Sequence, residues 1–171
     1  MKRAGGGFDY SYNAFAAVDD QAHIIVAAEL TNNAADSGCL ACLLEAVKDS
    51  TGELPAQALA DAGFRSEAQF EQLADTGVEL IVALGREGKK QLAIDSVKYP
   101  RTAEMAAKLQ TDVARAAYRR RKWLSEPPNG WVKNVLGFRQ FSLRGLAKVE
   151  AEWRLVCAAL NLRRMAGMMP G

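Results

Sequence analysis

The sequence predicts an α/β layered domain with at least some parallel strand pairing. Short apolar runs alternate with helical patterns in the order strand, helix, strand, helix, strand over the first half of the chain. Gly-, Pro-, Asn- and Asp-containing stretches separate these runs. The 171 residues, 49% apolar and 25% charged, suffice for one domain with a real hydrophobic core.

Residues 1–11 are Gly-rich and aromatic, and are expected to form a loop or a disordered end. Residues 13–18 and 23–28 are apolar runs separated by Asp19-Asp20-Gln21, which reads as an antiparallel hairpin. Asp36 or Ser37 is the expected N-cap of a helix reaching about Lys48, with Leu40, Leu43, Leu44 and Val47 as its buried stripe. Residues 56–60 form a short strand that ends at Asp61-Ala62-Gly63-Phe64. A second helix starts near Ser66, with Gln69 at capping-box spacing, and stops at Gly77 as C′ residue. Residues 78–84 are the next strand, and 85–100 a polar connector.

From Thr102 to about Ser125 the pattern is helical, with Met105, Leu109, Val113 and Ala116 or Ala117 on one side. Pro127-Pro128 is expected to interrupt this helix. Residues 131–141 are mixed. A last helix over 143–165 would bury Leu146, Val149, Trp153, Val156 and Leu160. There is no internal repeat and no low-complexity tract.

The net charge of +2 hides a strong division. Residues 1–85 carry four Lys and Arg against thirteen Asp and Glu, a net of −9; residues 86–171 carry eighteen against seven, a net of +11. The densest cluster is Arg119-Arg120-Arg121-Lys122, between Tyr118 and Trp123. A solvated helix face is the plain reading of such a run. The aromatic flanks and the basic residues downstream favour a polyanion, nucleic acid, as partner. No stretch approaches the roughly 18 consecutive apolar residues of a membrane span. The start, Met1-Lys2-Arg3, lacks the apolar segment of a secretory leader, so the expected location is cytoplasmic.

Cys39 and Cys42 form a C-x-x-C pair, a spacing used in redox and zinc chemistry. No second pair exists and His23 is the sole histidine. The flanking amphipathic pattern instead predicts buried structural cysteines.

Two carboxylates stand out. Asp61 lies where a strand ends, the edge at which sites form in α/β sheets, although Asp-x-Gly is also a common turn. Glu126 follows the basic cluster and precedes Lys133 by seven positions; alone it reads equally as a solvated helix-end residue. Two such oxygen donors suit Mg²⁺ or Mn²⁺, and two ions about 4 Å apart would serve phosphodiester transfer.

Four motifs occur in register. They are Asn13-Ala-Phe-Ala-Ala-Val-Asp19 with Ile24-Ile-Val and Asn32, and Ala60-Asp-Ala-Gly-Phe-Arg-Ser66. The third is Tyr118-Arg-Arg-Arg-Lys-Trp-Leu-Ser-Glu126 with Gly130-Trp-Val-Lys133. The fourth is Gly137-Phe-Arg-Gln-Phe-Ser-Leu-Arg-Gly-Leu-Ala-Lys-Val149 with Glu152-Trp153 and Asn161-Leu162. Together, over nearly the whole chain, they resemble the bacterial DDE-type insertion-sequence transposases, a family with an RNase H-like catalytic core.

The resemblance implies that Asp61 is the second metal-ligating aspartate and Glu126 the third acid of a two-metal site for Mg²⁺ or Mn²⁺. It implies that Tyr118, Arg121 and Lys133 contact DNA near the cleaved end. Arg121 precedes Glu126 by one residue more than the familiar spacing, which leaves Lys122 as the alternative. The implied partners are transposon-end DNA and other transposase subunits, and the implied activity is end cleavage followed by strand transfer in DNA recombination.

The family's first aspartate belongs to a strand upstream of the hairpin. Asp9 is the sole acid before residue 13, and Asp19 and Asp20 fall at the hairpin tip, where a turn role is favoured. The expectation is therefore a chain lacking the first core strand and inactive alone. The alternatives are a non-catalytic DNA-binding remnant, or a metal-dependent nuclease completed by Asp19 or Asp9.

Overall fold

The structure, a computed structural model, describes residues 12–33, 38–85 and 93–169. In chain order they form β1 (Asn13–Val18), β2 (Ile25–Thr31), α1 (Leu40–Thr51), β3 (Gln57–Ala60), a 3₁₀ turn (Ala62–Phe64), α2 (Glu67–Leu73), β4 (Glu79–Val82), α3 (Pro100–Lys108), α4 (Asp112–Asn134) and α5 (Leu146–Ala166). The α/β class holds: among the described residues, β1 and β2 form one two-stranded sheet and β3 and β4 another. The chain divides into a central unit, residues 35–125, and a terminal unit, residues 1–34 with 126–171. Among the described residues no helix is long and apolar enough to cross a membrane. The expectations on residues 1–11, Asp9 and the Asp36 or Ser37 cap fall outside the described residues.

In the central unit β3 pairs with β4 in parallel, from Gln57 opposite Glu79 to Ala60 opposite Val82, with α2 as the crossover. Ile81 and Val82 are fully buried. Leu40 and Leu44 of α1, Phe70 and Leu73 of α2, Leu80 and Val82 of β4 and Met105 of α3 form one apolar cluster. Each such side chain contributes about 1.5–3 kcal/mol by leaving water. Leu43 and Val47 are buried as well, so the whole predicted stripe of α1 faces inward.

The capping of α2 differs from the expected box. Ser66 makes no side-chain cap bond. Gln69 does not turn back to it: its Oε1 accepts from Ala41 N at 2.8 Å, in the first turn of α1, and its Nε2 donates to Gln72 Oε1 at 3.1 Å. The helix ends at Leu73, whose carbonyl accepts from the Thr76 hydroxyl at 2.7 Å. Gly77, at φ +79°, therefore turns the chain into β4 rather than closing the helix as C′.

The predicted helix over 102–125 is two helices. Pro100 opens α3 at its first turn, where a fixed φ costs nothing. Glu67 of α2 caps it across space, accepting from Arg101 N at 2.7 Å, Thr102 N at 2.8 Å and the buried Thr102 hydroxyl at 2.6 Å. The break comes at 109–111. There the Thr111 hydroxyl donates to Lys108 O at 2.8 Å and accepts from Ala114 N at 3.2 Å, ending one helix and capping the next. The break resets the helical phase, so Val113 is 74% exposed and Ala114 takes the buried position.

α4 then runs through Pro127 and Pro128, which do not interrupt it. Proline's φ is itself helical; what the two prolines remove are the donors to the carbonyls of Trp123 and Leu124.

In the terminal unit β1 and β2 pair antiparallel from Asn13 opposite Thr31 to Ala17 opposite Ala27. The register then shifts, setting Val18 opposite Ile25. α5 lies against this hairpin, and Ile25, Leu30, Val132, Val149, Trp153, Cys157 and Leu160 form the core. Three side chains of α5 fasten it. Trp153 Nε1 donates to Phe15 O at 2.9 Å, and Arg164 Nε donates to Ala22 O at 2.8 Å. Asn161 accepts from Ile25 N and donates to Ile25 O, both at 2.8 Å. α5 starts three residues later than the predicted 143, because Gly145 at φ +91° sets the entry and the Glu152 carboxylate accepts from Ser142 N and Leu143 N. Leu146, predicted as core, is 43% exposed, and Cys157 joins the buried stripe instead.

Candidate functional site

The motif around Asp61 folds as a strand end. Ala60 is buried at the last pair of β3, and Asp61 follows with extended backbone as N-cap of the 3₁₀ turn. Its Oδ1 accepts from Gly63 N at 2.9 Å, and the residue is exposed. Phe64 packs against the central core, and Arg65 Nη1 donates to Leu84 O at 3.1 Å, tying the turn to the segment just after β4. Asp61 thus shapes a turn at the C-terminal end of a parallel strand.

α4 carries the other candidates. In the central unit Tyr118 is half-buried, and the Arg121 guanidinium lies over its ring at 5.3 Å from the centroid. Lys122 is exposed, as is Trp123 at 79%. In the terminal unit Glu126 and Lys133 are exposed. Asp61 and Glu126 belong to different units. Among the described residues, no group of three or more His, Cys, Asp and Glu side chains is gathered as a metal would require.

Asp19, at the hairpin tip, behaves as a turn residue. The Asp19 carboxylate accepts from Gln21 N at 3.0 Å, from Ala22 N at 2.7 Å and from Ile24 N, so its oxygens are committed to the backbone of the tip. That occupation weighs against Asp19 completing a nuclease site.

Of the three cysteines only Cys157 matches the buried reading. It is 3% exposed, and burial pushes its thiol up to about 12. Cys42 is exposed and Cys39, the N-cap of α1, is half-buried. The stripe of α1 passes through Leu40, Leu43, Leu44 and Val47, and the cysteines lie beside it.

Lys133 borders a groove of about 870 Å³ in the terminal unit, which Arg139, Gln140, Phe141 and Arg144 also line. Arg139, Gln140, Phe141 and Arg144 belong to the fourth sequence motif, whose resemblance assigns them no role. The signal was the alternation of aromatic and basic residues in Phe138-Arg-Gln-Phe-Ser-Leu-Arg144.

A family model described as "Transposase DDE domain" matches residues 2–162. No curated protein and no solved structure matches the chain.

Proposed function

The chain belongs to the transposase DDE domain family, and we propose that it serves DNA transposition, the metal-dependent cleavage of element ends followed by strand transfer, with Asp61 and Glu126 as two of the acids and no activity on its own without a further one. The observation that carries this reading is an exposed carboxylate, Asp61, at the C-terminal end of a parallel strand, within the family's matched span.

Asp61 and Glu126 are the proposed ligands. Both are exposed carboxylates, and oxygen donors are what Mg²⁺ and Mn²⁺ take, so the donor set fits the ions in kind. When bound, such ions activate a water or a 3′-hydroxyl and stabilise the leaving oxygen. The rest of the work falls to this chain's own side chains. The Asp61–Gly63 hydrogen bond fixes the carboxylate's direction while leaving its second oxygen to a ligand. Tyr118 holds the Arg121 guanidinium by stacking, which restricts it for contact with a phosphate. Lys122 stands four residues before Glu126 and four after Tyr118, spacings that keep helical residues on one face. This favours Lys122 over Arg121 as the basic partner beside the acid. Lys133 extends the cationic track along α4.

The test compares the wild-type chain with Asp61→Asn, Glu126→Gln and the double variant. Mn²⁺ binding is followed by water-proton relaxation, and nicking or joining is assayed on the DNA that flanks the coding sequence. Each single substitution is expected to weaken Mn²⁺ binding, and the pair to abolish it along with any cleavage. Mn²⁺ binding unchanged in the double variant would overturn the assignment of both acids.

A further inference from the structure

The fourth sequence motif has a place in the terminal unit that its match to a family does not explain. Lys133, at the end of α4, and Arg139 and Arg144, in the segment leading to α5, border one groove, together with Tyr12, Phe138 and Phe141. All three cations are exposed. Among the described residues neither Arg139 nor Arg144 is in an ion pair, and the nearby Glu152 carboxylate is spent on Ser142 N and Leu143 N.

The segment is held at both ends. Phe138 N donates to Val132 O at 3.1 Å, and Gly145 N donates to the Tyr12 hydroxyl at 3.1 Å. The rings brace one another edge to face, Phe138 on Phe141 at 5.2 Å and Tyr12 on Phe141 at 6.0 Å. The result is a groove lined by three half-buried rings, which pack against the core, and three exposed cations.

We propose that this groove binds an unpaired stretch of DNA, with Arg139 and Arg144 on successive phosphates and a base laid against the aromatic rings. The chemistry selects that ligand. A duplex shows phosphates outward and keeps its bases stacked inside, so cations alone would serve it and the aromatic rings would gain nothing. A single strand offers both a backbone for the cations and exposed base faces for the rings, the combination that stacking grooves use. The inference rests on the DNA reading above and adds two residues and a strand state to it.

The test is fluorescence anisotropy with a labelled single strand, the duplex of the same sequence and a strand with abasic positions, over a range of salt. Arg139→Ala/Arg144→Ala is compared with wild type and with Lys148→Ala/Arg163→Ala, a charge-matched pair exposed on α5 outside the groove. Circular dichroism establishes that each variant is folded; Arg139→Gln/Arg144→Gln replaces the alanine pair if it is not.

The groove pair is expected to weaken single-strand binding at least about tenfold, since each hydrogen bond to a charged group is worth that order. It should also flatten the log-log salt slope by about 1.4, from two phosphates at roughly 0.7 each. Duplex binding should fall much less, and the abasic strand should bind wild type more weakly than the intact one. The proposal is overturned if the groove pair behaves like the control pair, or if abasic and intact strands bind equally. Binding of neither DNA form by wild type would instead overturn the DNA reading itself, which separates the two failures.

Discussion

In the central unit two parallel strands are held by apolar packing from three helices; in the terminal unit two antiparallel strands have an apolar core too, and three side chains of α5 also bond to the backbone of the hairpin region. β3 and β4 contribute Ala60, Leu80 and Val82 to a cluster closed by Leu40, Phe70 and Met105. β1 and β2 depend on Trp153, Asn161 and Arg164 of α5, each of which bonds a main-chain group of the hairpin region. The physical difference is redundancy. A cluster of many apolar side chains shares its stabilisation among them, whereas a hydrogen bond to a strand edge has one donor and one acceptor. Single polar substitutions should therefore matter more in the terminal unit, and residues of the matched motif such as Trp153 and Asn161 are explained there by folding rather than chemistry.

Trp153→Ala should have the largest effect. It removes a 6%-exposed indole from the core and the donor to Phe15 O, and should cost about 3–5 kcal/mol in urea unfolding. Amide exchange should show lost protection concentrated in β1 and β2. Equal loss in β3 and β4 would break the comparison, because the two clusters would then unfold as one cooperative body.

Asn161→Ala comes next. It leaves Ile25 N and Ile25 O without their partner, a loss of about 1–3 kcal/mol. Asn161→Asp keeps the acceptor for Ile25 N and loses only the donor, so it should destabilise less than alanine where the carboxylate is accommodated. An order of alanine milder than aspartate would show that burial of charge, not edge capping, dominates at this position.

The central unit has polar anchors as well, Lys108 Nζ on Leu80 O and Gln69 on Ala41 N among them, and pH addresses the one at Glu67. Burial raises the Glu67 carboxyl, but hydrogen bonds from the Thr102 hydroxyl, Arg101 N and Thr102 N, with the Arg101 charge, more than offset this and hold it below the ordinary 4.5. A group whose folded pKa is depressed stabilises fully above its unfolded value and loses that contribution as pH falls through the folded one. Stability should thus decline on acidification from about pH 4.5 downward, and the decline should be shallower in Glu67→Gln. At neutral pH that substitution should cost about 1 kcal/mol, as loss of a helix cap does. An unchanged acid slope would show that other carboxylates carry it; Glu71 beside Arg101 and Glu152 beside Ser142 N are depressed too.

What could be read from sequence follows the range of the interactions involved. The hairpin, the parallel β3–β4 pair and the turn role of Asp19 rest on contacts between near neighbours or on period-2 and helical patterning, and those were legible. Asp61 at a strand end was legible because Ala56-Gln-Ala-Leu-Ala60 stops abruptly at Asp-Ala-Gly. Gln69 was misread because its partner, Ala41 N, lies 28 residues away. The groove was invisible because Tyr12 meets Gly145 across 133 residues, and no local pattern announces that closure. Pro127 and Pro128 misled for a different reason: a helix tolerates proline's φ, and the sequence does not reveal whether the lost donors are affordable.

The break between α3 and α4 is the subtlest of these differences and gives the smallest expected effect. Leu109 and Gln110 are good helix formers, so an unbroken helix would place Val113 beside Met105 and Leu109 in the core, whereas the cap at Thr111 turns Val113 outward and Ala114 inward. Val113→Gln should then change stability by less than about 0.5 kcal/mol, as exposed substitutions do. Ala114→Leu, with almost no free surface at that position, should cost about 1–3 kcal/mol by overpacking. A continuous helix demands the reverse order, with glutamine damaging and leucine harmless, so one pair of unfolding curves separates the two geometries. The outcome also bears on the comparison, since a side chain that can be exchanged freely beside an apolar core shows how sharply the central unit's redundancy ends at its surface.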